Sequence, residues 1–150
     1  MIQIRDFEAS DYPAVLAIDE EEQRTYRGRL WEAATRQERD RFLMTSSRNV
    51  AAYEASEFCL IAEIDGVIAG FLFALPLLPE VLSVDAVAVT PESRRQGIAS
   101  RLYGVLLERA RSRGIARVQA LISLDNPASM ALHESAGFTL RDRKEAVIEL

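Results

Sequence analysis

The chain of 150 residues contains one cysteine, one histidine and no apolar run long enough to cross a membrane. A single cysteine permits no internal disulfide and no cysteine-based zinc cluster. Cys59 stands in Glu57-Phe58-Cys59-Leu60-Ile61-Ala62, an apolar strand context in which a thiol packs as a small hydrophobe rather than serving as a nucleophile. The uncharged run from Val67 to Pro79 is shorter than the roughly 20 residues of a membrane helix. Pro76 and Pro79 interrupt it, so it reads as a buried strand followed by a loop. Basic residues are also in short supply, 18 against 23 acidic ones, and the net charge of -5 argues against broad binding to nucleic acid or anionic membrane. Repeats, low-complexity tracts and flexible linkers are missing too, which leaves one domain over residues 1–150. Met1-Ile2-Gln3-Ile4-Arg5 enters an alternating strand pattern directly rather than a leader, so a cytoplasmic location is the expectation.

The elements follow from periodicity and punctuation. Ile2 to Phe7 reads as a strand, and Ser10 and Asp11 offer cap side chains for a helix through Ala14, Val15 and Ile18. After the acidic run Asp19-Glu20-Glu21-Glu22, a charge-laced helical region extends from about Arg29 to Thr45. Phe58 to Ile64 and Val67 to Leu75 are strands joined at Asp65-Gly66, a strong two-residue hairpin signal. Leu82 to Val89 is a further strand. The next helix carries Ile98, Leu102, Val105, Leu106 and Ala110 on one face and ends at Gly114. A strand over Ala116 to Leu124, a short helix from Asn126 to Gly137, and strands near Phe138 to Arg141 and Glu145 to Leu150 complete the order β-α-α-β-β-β-α-β-α-β-β. Such an order implies an α/β domain with a mixed sheet and helices on both faces.

The most informative stretch is Val84 to Leu102, where an apolar strand passes Pro91 and an arginine-glycine turn opens a helix. The first turn of a helix has unpaired N–H groups and partial positive charge, so this junction suits a phosphorylated ligand. Gly97 removes the side chain that would block close approach. No Gly-Lys-Ser/Thr follows and no G-x-G-x-x-G occurs, which excludes a P-loop and a dinucleotide fingerprint.

Arg94-x-x-Gly97-x-Ala99 matches the R/Q-x-x-G-x-G/A signature of the GNAT superfamily of acetyltransferases, and Asn126-Pro127-Ala128-Ser129-Met130-Ala131-Leu132-His133-Glu134-Ser135-Ala136-Gly137-Phe138 resembles its N-x-x-A/S-x-x-L-Y-E-x-x-G-F segment. The element order resembles that family along the whole chain. The resemblance implies a central, mixed, mainly antiparallel twisted sheet of six to seven strands, with acetyl-CoA as the acyl donor and no metal. It implies that the main chain of Val87, Ala88 and Val89 bonds the pantetheine and thioester, and that Arg94, Arg95, Gln96, Gly97, Ile98, Ala99 and Ser100 seat the pyrophosphate. Asn126 and Ser129 inherit contact with the pantetheine arm, although Asn126 also fits an ordinary N-cap.

Two catalytic candidates follow. The family's tyrosine, often the general acid for the departing thiolate, is replaced by His133, and an imidazolium is chemically able to donate a proton or stabilise a thiolate. A plain helix residue is the competing reading. Asp85 is the candidate general base, placed on the side of Val87 by strand alternation, with a structural acceptor as its alternative. Glu20 to Glu22 are further candidates for an acidic rim that attracts a cationic amine. Members that acetylate protein N-termini often carry a glutamate where this chain has Leu121, which turns the expectation towards a small, cationic amine or a lysine side chain. The partners expected are this acceptor alone, without nucleic acid or membrane, in a monomer or homodimer. A non-catalytic acyl-CoA-binding module of the same fold, a protein N-terminal acetyltransferase, and an interaction protein using the Pro76 to Leu82 loop are the alternatives.

Overall fold

A computed structural model describes residues 1–123 and 125–150. Five strands form one sheet in the order β1 (Ile2–Asp6), β2 (Cys59–Ile64), β3 (Val67–Leu78), β4 (Val81–Val89), β5 (Arg117–Ala120). All neighbours are antiparallel except β4 and β5, which run parallel. The β2–β3 turn has Asp65 at φ 51° and Gly66 at φ 82°, the left-handed pair that a two-residue hairpin requires.

Alternation along β2 and β3 divides the core. Leu60, Ala62, Leu72 and Ala74 face one side, where Ile98, Leu102, Tyr103, Leu106 and Ala110 of α5 (Ile98–Ser112) cover them. Cys59, Ile61, Phe71 and Phe73 face the other, under Val15 and Ile18 of α1 (Tyr12–Arg27) and Tyr53 of α4 (Val50–Ala55). The i, i+4 spacing of Ile98, Leu102, Leu106 and Ala110 creates a continuous stripe, and each fully buried leucine contributes about 1.5–3 kcal/mol. Cys59 is wholly buried, and desolvation pushes its thiol up to about 11, so it has little thiolate character.

The structure revises several elements. The first helix does not stop before the acidic run but carries it, ending at Arg27 before Gly28 at φ 52°. The expected Arg29–Thr45 helix breaks into α2 (Arg29–Ala33) and α3 (Arg36–Phe42), because Ala34 is extended and Thr35 starts a new capping box with Glu38. The helix α4 was absent from the expected order. In the expected strand over Ala116 to Leu124 only Arg117–Ala120 is paired, and Leu124 lies outside the described residues. Helix α6 (Pro127–Ser135) follows as expected. The two final strands are a correction: residues 139–150 form no strand, and Val147 and Ile148 are exposed. An alternating pattern becomes a strand only when a ladder accepts its N–H and C=O groups, and β5 pairs with β4 alone. The sheet therefore has five strands rather than six or seven.

One ion cluster ties the sheet edge to the start of α1. The Arg5 guanidinium donates two bonds of 2.8 Å to the Asp11 carboxylate and one of 2.7 Å to Glu63, while Asp11 accepts the Glu8 N–H at 2.8 Å. The bonds from Arg5 hold Asp11 below the ordinary carboxylate range. A depressed folded value means that the stabilisation is complete above the unfolded pKa of about 3.9 and is lost as pH falls through the folded one. Asp11→Asn should lower stability at pH 7 by about 1–2 kcal/mol, and the gap to the wild type should shrink at pH 3. Urea unfolding at both pH values checks this, and a gap equal at the two would count against it.

Candidate active site

The site begins where two strands part. Pairing between β4 and β5 covers Val81–Val84 against Arg117–Ala120 and ends there. Beyond it, Val84–Val89 and Ala120–Ser123 line opposite walls of a cavity of about 390 Å³. That volume is in the range of small-ligand sites.

A bulge controls what β4 presents to this wedge. Ala86 opposes Phe73 and Val84 opposes Ala74, so Asp85 is the additional residue in its strand. The phase of alternation shifts there. Leu82 and Val84 pack on the α5 side and so do Val87 and Val89, whereas Ala86 and Ala88 pack on the α1 side. The alternation argument that put Asp85 on the side of Val87 is thereby corrected: the bulge separates them. Asp85 projects exposed into the cavity instead of entering either core. Desolvation by the cavity walls raises its pKa above the ordinary carboxylate value, with the Ser83 hydroxyl opposing.

The main chain completes the wall. Thr90 N–H donates to Ala69 O at 2.8 Å, and ladder alternation then turns the N–H and C=O of Ala88 to β3 and those of Val87 and Val89 into the wedge. Of the three residues expected to bind through main chain, two offer it to the cavity and Ala88 gives its groups to the sheet.

At one end of the wedge lies the turn into α5. Gly97 takes the left-handed N-cap conformation, φ 74° and ψ 18°, and a Cβ there would meet nothing within 4 Å. The left-handed backbone favours glycine here. Arg95 is also left-handed, at φ 62°. Arg94 and Ala99 line the cavity; Arg95, Gln96 and Ser100 are exposed beside it, and the Ile98 side chain is buried in the core. Arg94 forms an ion pair of 2.8 Å with Glu22 of α1. Glu22 is the one member of the acidic run on the cavity wall, since Glu21 pairs with Arg24. Asp19 is fully buried and accepts from Met44 N–H, Thr45 N–H and the Thr45 hydroxyl, which pins the loop carrying Leu43 and Met44 against the cavity.

Helix α6 forms the remaining wall. Asn126 Oδ1 accepts the Ser129 N–H at 3.1 Å, so Asn126 is an N-cap, and both residues line the cavity. His133 lies 2% exposed at its edge. Its Nδ1 is 2.7 Å from the Ser129 carbonyl oxygen, which can only accept, so Nδ1 carries the hydrogen. Its Nε2 shares a hydrogen bond of 2.6 Å with the Tyr103 hydroxyl. Both nitrogens are thus engaged within the protein. The ring also meets Phe138 edge-on at 5.2 Å. His133, the candidate acid, links α6 to α5 through these bonds. Tyr103 is the residue that sequence reasoning missed here, since its place on the apolar stripe of α5 gave no sign of a polar partner.

The chemistry of the walls fits a phosphorylated thioester donor. A glycine-opened helix start, outward main-chain groups on β4 and a capped α6 follow one long wedge. The acetyltransferase (GNAT) family model matches residues 12–138. The chain is 36% identical over 86 residues to phosphinothricin N-acetyltransferase of Streptomyces viridochromogenes, covering 55% of this chain and 47% of that protein. It is 37% identical over 75 residues to L-2,4-diaminobutyric acid acetyltransferase of Nocardia farcinica, covering 49% and 39%. The match thus spans less than half the length of these curated relatives. Among solved structures, a Salmonella typhimurium protein with its cofactor acetyl-CoA is 26% identical, with a TM-score of 0.70 over 93% of this chain and 80% of that one. With strand parting, glycine turn and capped α6 all inside the matched region, the chain belongs to the GNAT family of acetyltransferases.

Proposed function

We propose that this protein is an N-acetyltransferase that moves an acetyl group from acetyl-CoA directly to a primary amine of a small molecule. The observation that carries the reading is the wedge between β4 and β5, whose one cavity is lined both by Arg94 and Ala99, on either side of the Gly97 turn, and by the carboxylate of Asp85. The names of the relatives, which act on phosphinothricin and diaminobutyrate, support a small acceptor over a protein. Bound acetyl-CoA supplies a thioester whose carbonyl carbon accepts the amine's electron pair as the C–S bond breaks.

The roles of the chain's own groups follow from their positions. The N–H groups at the start of α5 and the Arg94 guanidinium hold the pyrophosphate, with Arg94 exchanging Glu22 for phosphate oxygens. The wedge-facing main chain of Val87 and Val89 bonds the pantetheine amides and the carbonyl oxygen on which charge develops. Asn126 and Ser129 line the pantetheine arm. Asp85 takes the proton that the amine sheds on forming the C–N bond, directly or through one water. His133 positions α6 rather than acting as acid. The departing thiolate is protonated by solvent, because a thiol of pKa about 8.5 leaves without a dedicated donor.

Two outcomes test this reading. Asp85→Asn should lower kcat by about a hundredfold or more, the contribution of a positioned base. In the wild type, kcat/KM should rise with pH along a limb above the ordinary carboxylate range, since the raised pKa of Asp85 delays its ionisation, and the variant should lack that limb. Gly97→Val should raise KM for acetyl-CoA with a smaller change in kcat, and forcing a β-branched residue into a left-handed conformation should cost about 1–2 kcal/mol of stability. Release of free CoA across polyamines, amino acids, aminoglycosides and lysine peptides is the decisive assay. Tight CoA binding with no thiol release from any of them would make the protein a non-catalytic carrier.

A further inference from the structure

The cavity has a second charged group, of opposite sign to Asp85 and not engaged by a carboxylate. Arg27, the last residue of α1, lines the same cavity. Its guanidinium stacks on Phe42 at 4.1 Å from the ring centroid, and its Nε donates to the buried Gln23 at 3.0 Å. Among the described residues no carboxylate lies within ion-pairing distance of it, whereas the other arginine on the cavity wall, Arg94, is paired with Glu22. Stacking and the Gln23 bond fix the plane of the guanidinium while leaving the Nη groups uncommitted. A half-buried arginine held in that way is pre-organised for planar, two-point recognition of a carboxylate. Unlike Arg94, it stands on the α3 side of the cavity, with Phe42 and Met44, away from the glycine turn.

Resting on the acetyl-transfer reading, we propose that the acceptor is a zwitterionic amino acid, its carboxylate held by the Nη groups of Arg27 while its reacting amine lies toward Asp85. Besides the Glu22–Arg94 pair, the cavity is faced by one anion, Asp85, and one cation, Arg27, which complement a ligand that carries both charges. A polyamine would set a cation against Arg27, and an uncharged amine would leave the guanidinium unpaired. Arg27 is a specificity residue in this scheme and Gln23 and Phe42 position it. The reacting nitrogen is the α-amine or a side-chain amine, according to which of them reaches the thioester when the carboxylate is clamped.

The test compares acceptors that differ only in the carboxylate. L-Ornithine, L-lysine and L-methionine would each be assayed for CoA release beside their carboxamides, with wild type and Arg27→Gln. The expected result is a KM lower by about 10- to 100-fold for at least one acid than for its amide, the span of a charge-assisted pair. Arg27→Gln should erase that difference through the acceptor KM more than through kcat, and Arg27→Lys should restore part of it. Calorimetric titration of the same acids into the CoA-bound protein gives a readout independent of turnover, and should lose its heat in Arg27→Gln. Equal turnover of acids and amides, turnover confined to acceptors without a carboxylate, or an effect of Arg27→Gln restricted to the KM for acetyl-CoA would each overturn the proposal while leaving acetyl transfer intact. Absence of thiol release with every class of amine would instead overturn the transfer reading on which it rests.

Discussion

Everything at the site depends on the loss of pairing between β4 and β5 after Val84 and Ala120. A parallel pair continued to Val89 would spend the outward N–H and C=O groups of β4 on a neighbouring strand and close the gap with side chains. Because it stops, those groups face a cavity, and α5 and α6 flank its two walls. The bulge at Asp85 sits at the same point. It changes which face each later residue occupies, so that a carboxylate meets the cavity and alanines 86 and 88 are moved from the α5 side to pack under α1. One additional residue thus turns a strand that only packs into one that also lines a cavity.

Helix α1 acts as the cover of this wedge. Its inner residues Val15 and Ile18 bury against the sheet, and its later turns reach over the opening. There Glu22 meets Arg94, and the Tyr26 hydroxyl donates to Asp125 just before α6. These bridges are partly exposed and individually weak, so they orient the cover without locking it. The deeper anchor is Asp19, whose buried carboxylate is compensated by three donors from Met44 and Thr45. The acidic run is therefore divided by helical spacing into a buried anchor, a cavity residue and a solvated pair.

The bond between Tyr103 and His133 plays a comparable part on the other face. It joins the helix that begins at Gly97 to the helix capped by Asn126, and so fixes the distance between two halves of one binding surface. Both rings are buried, and desolvation drives the Tyr103 hydroxyl well above its usual range, which keeps it a donor. The only histidine in the chain thus uses both ring nitrogens to join the two helices.

Local signals were readable from residue order alone. The stripe of α5, the Asp65-Gly66 hairpin and the Asn126 cap each depend on a few neighbouring residues, and the structure bears them out. Two motifs of the family were readable for the same reason. The Thr35-Glu38 capping box that divides the second helical region is equally local, and it overrides the longer helical period that runs across it. Tertiary structure alone decided the rest. The bulge at Asp85 exists only relative to the register of β3, the freedom of Arg27 only relative to where every carboxylate lies, and the engagement of His133 only once α5 brings Tyr103 to it. Residues 139–150 show the converse, since their alternation satisfies the pattern of strands and finds no ladder. Sequence by itself determined the first four strands, the core stripe of α5 and the cap of α6, because backbone propensity and hydrophobic period act over a few residues; the walls of the cavity were decided by which distant groups satisfy one another's hydrogen bonds and charges.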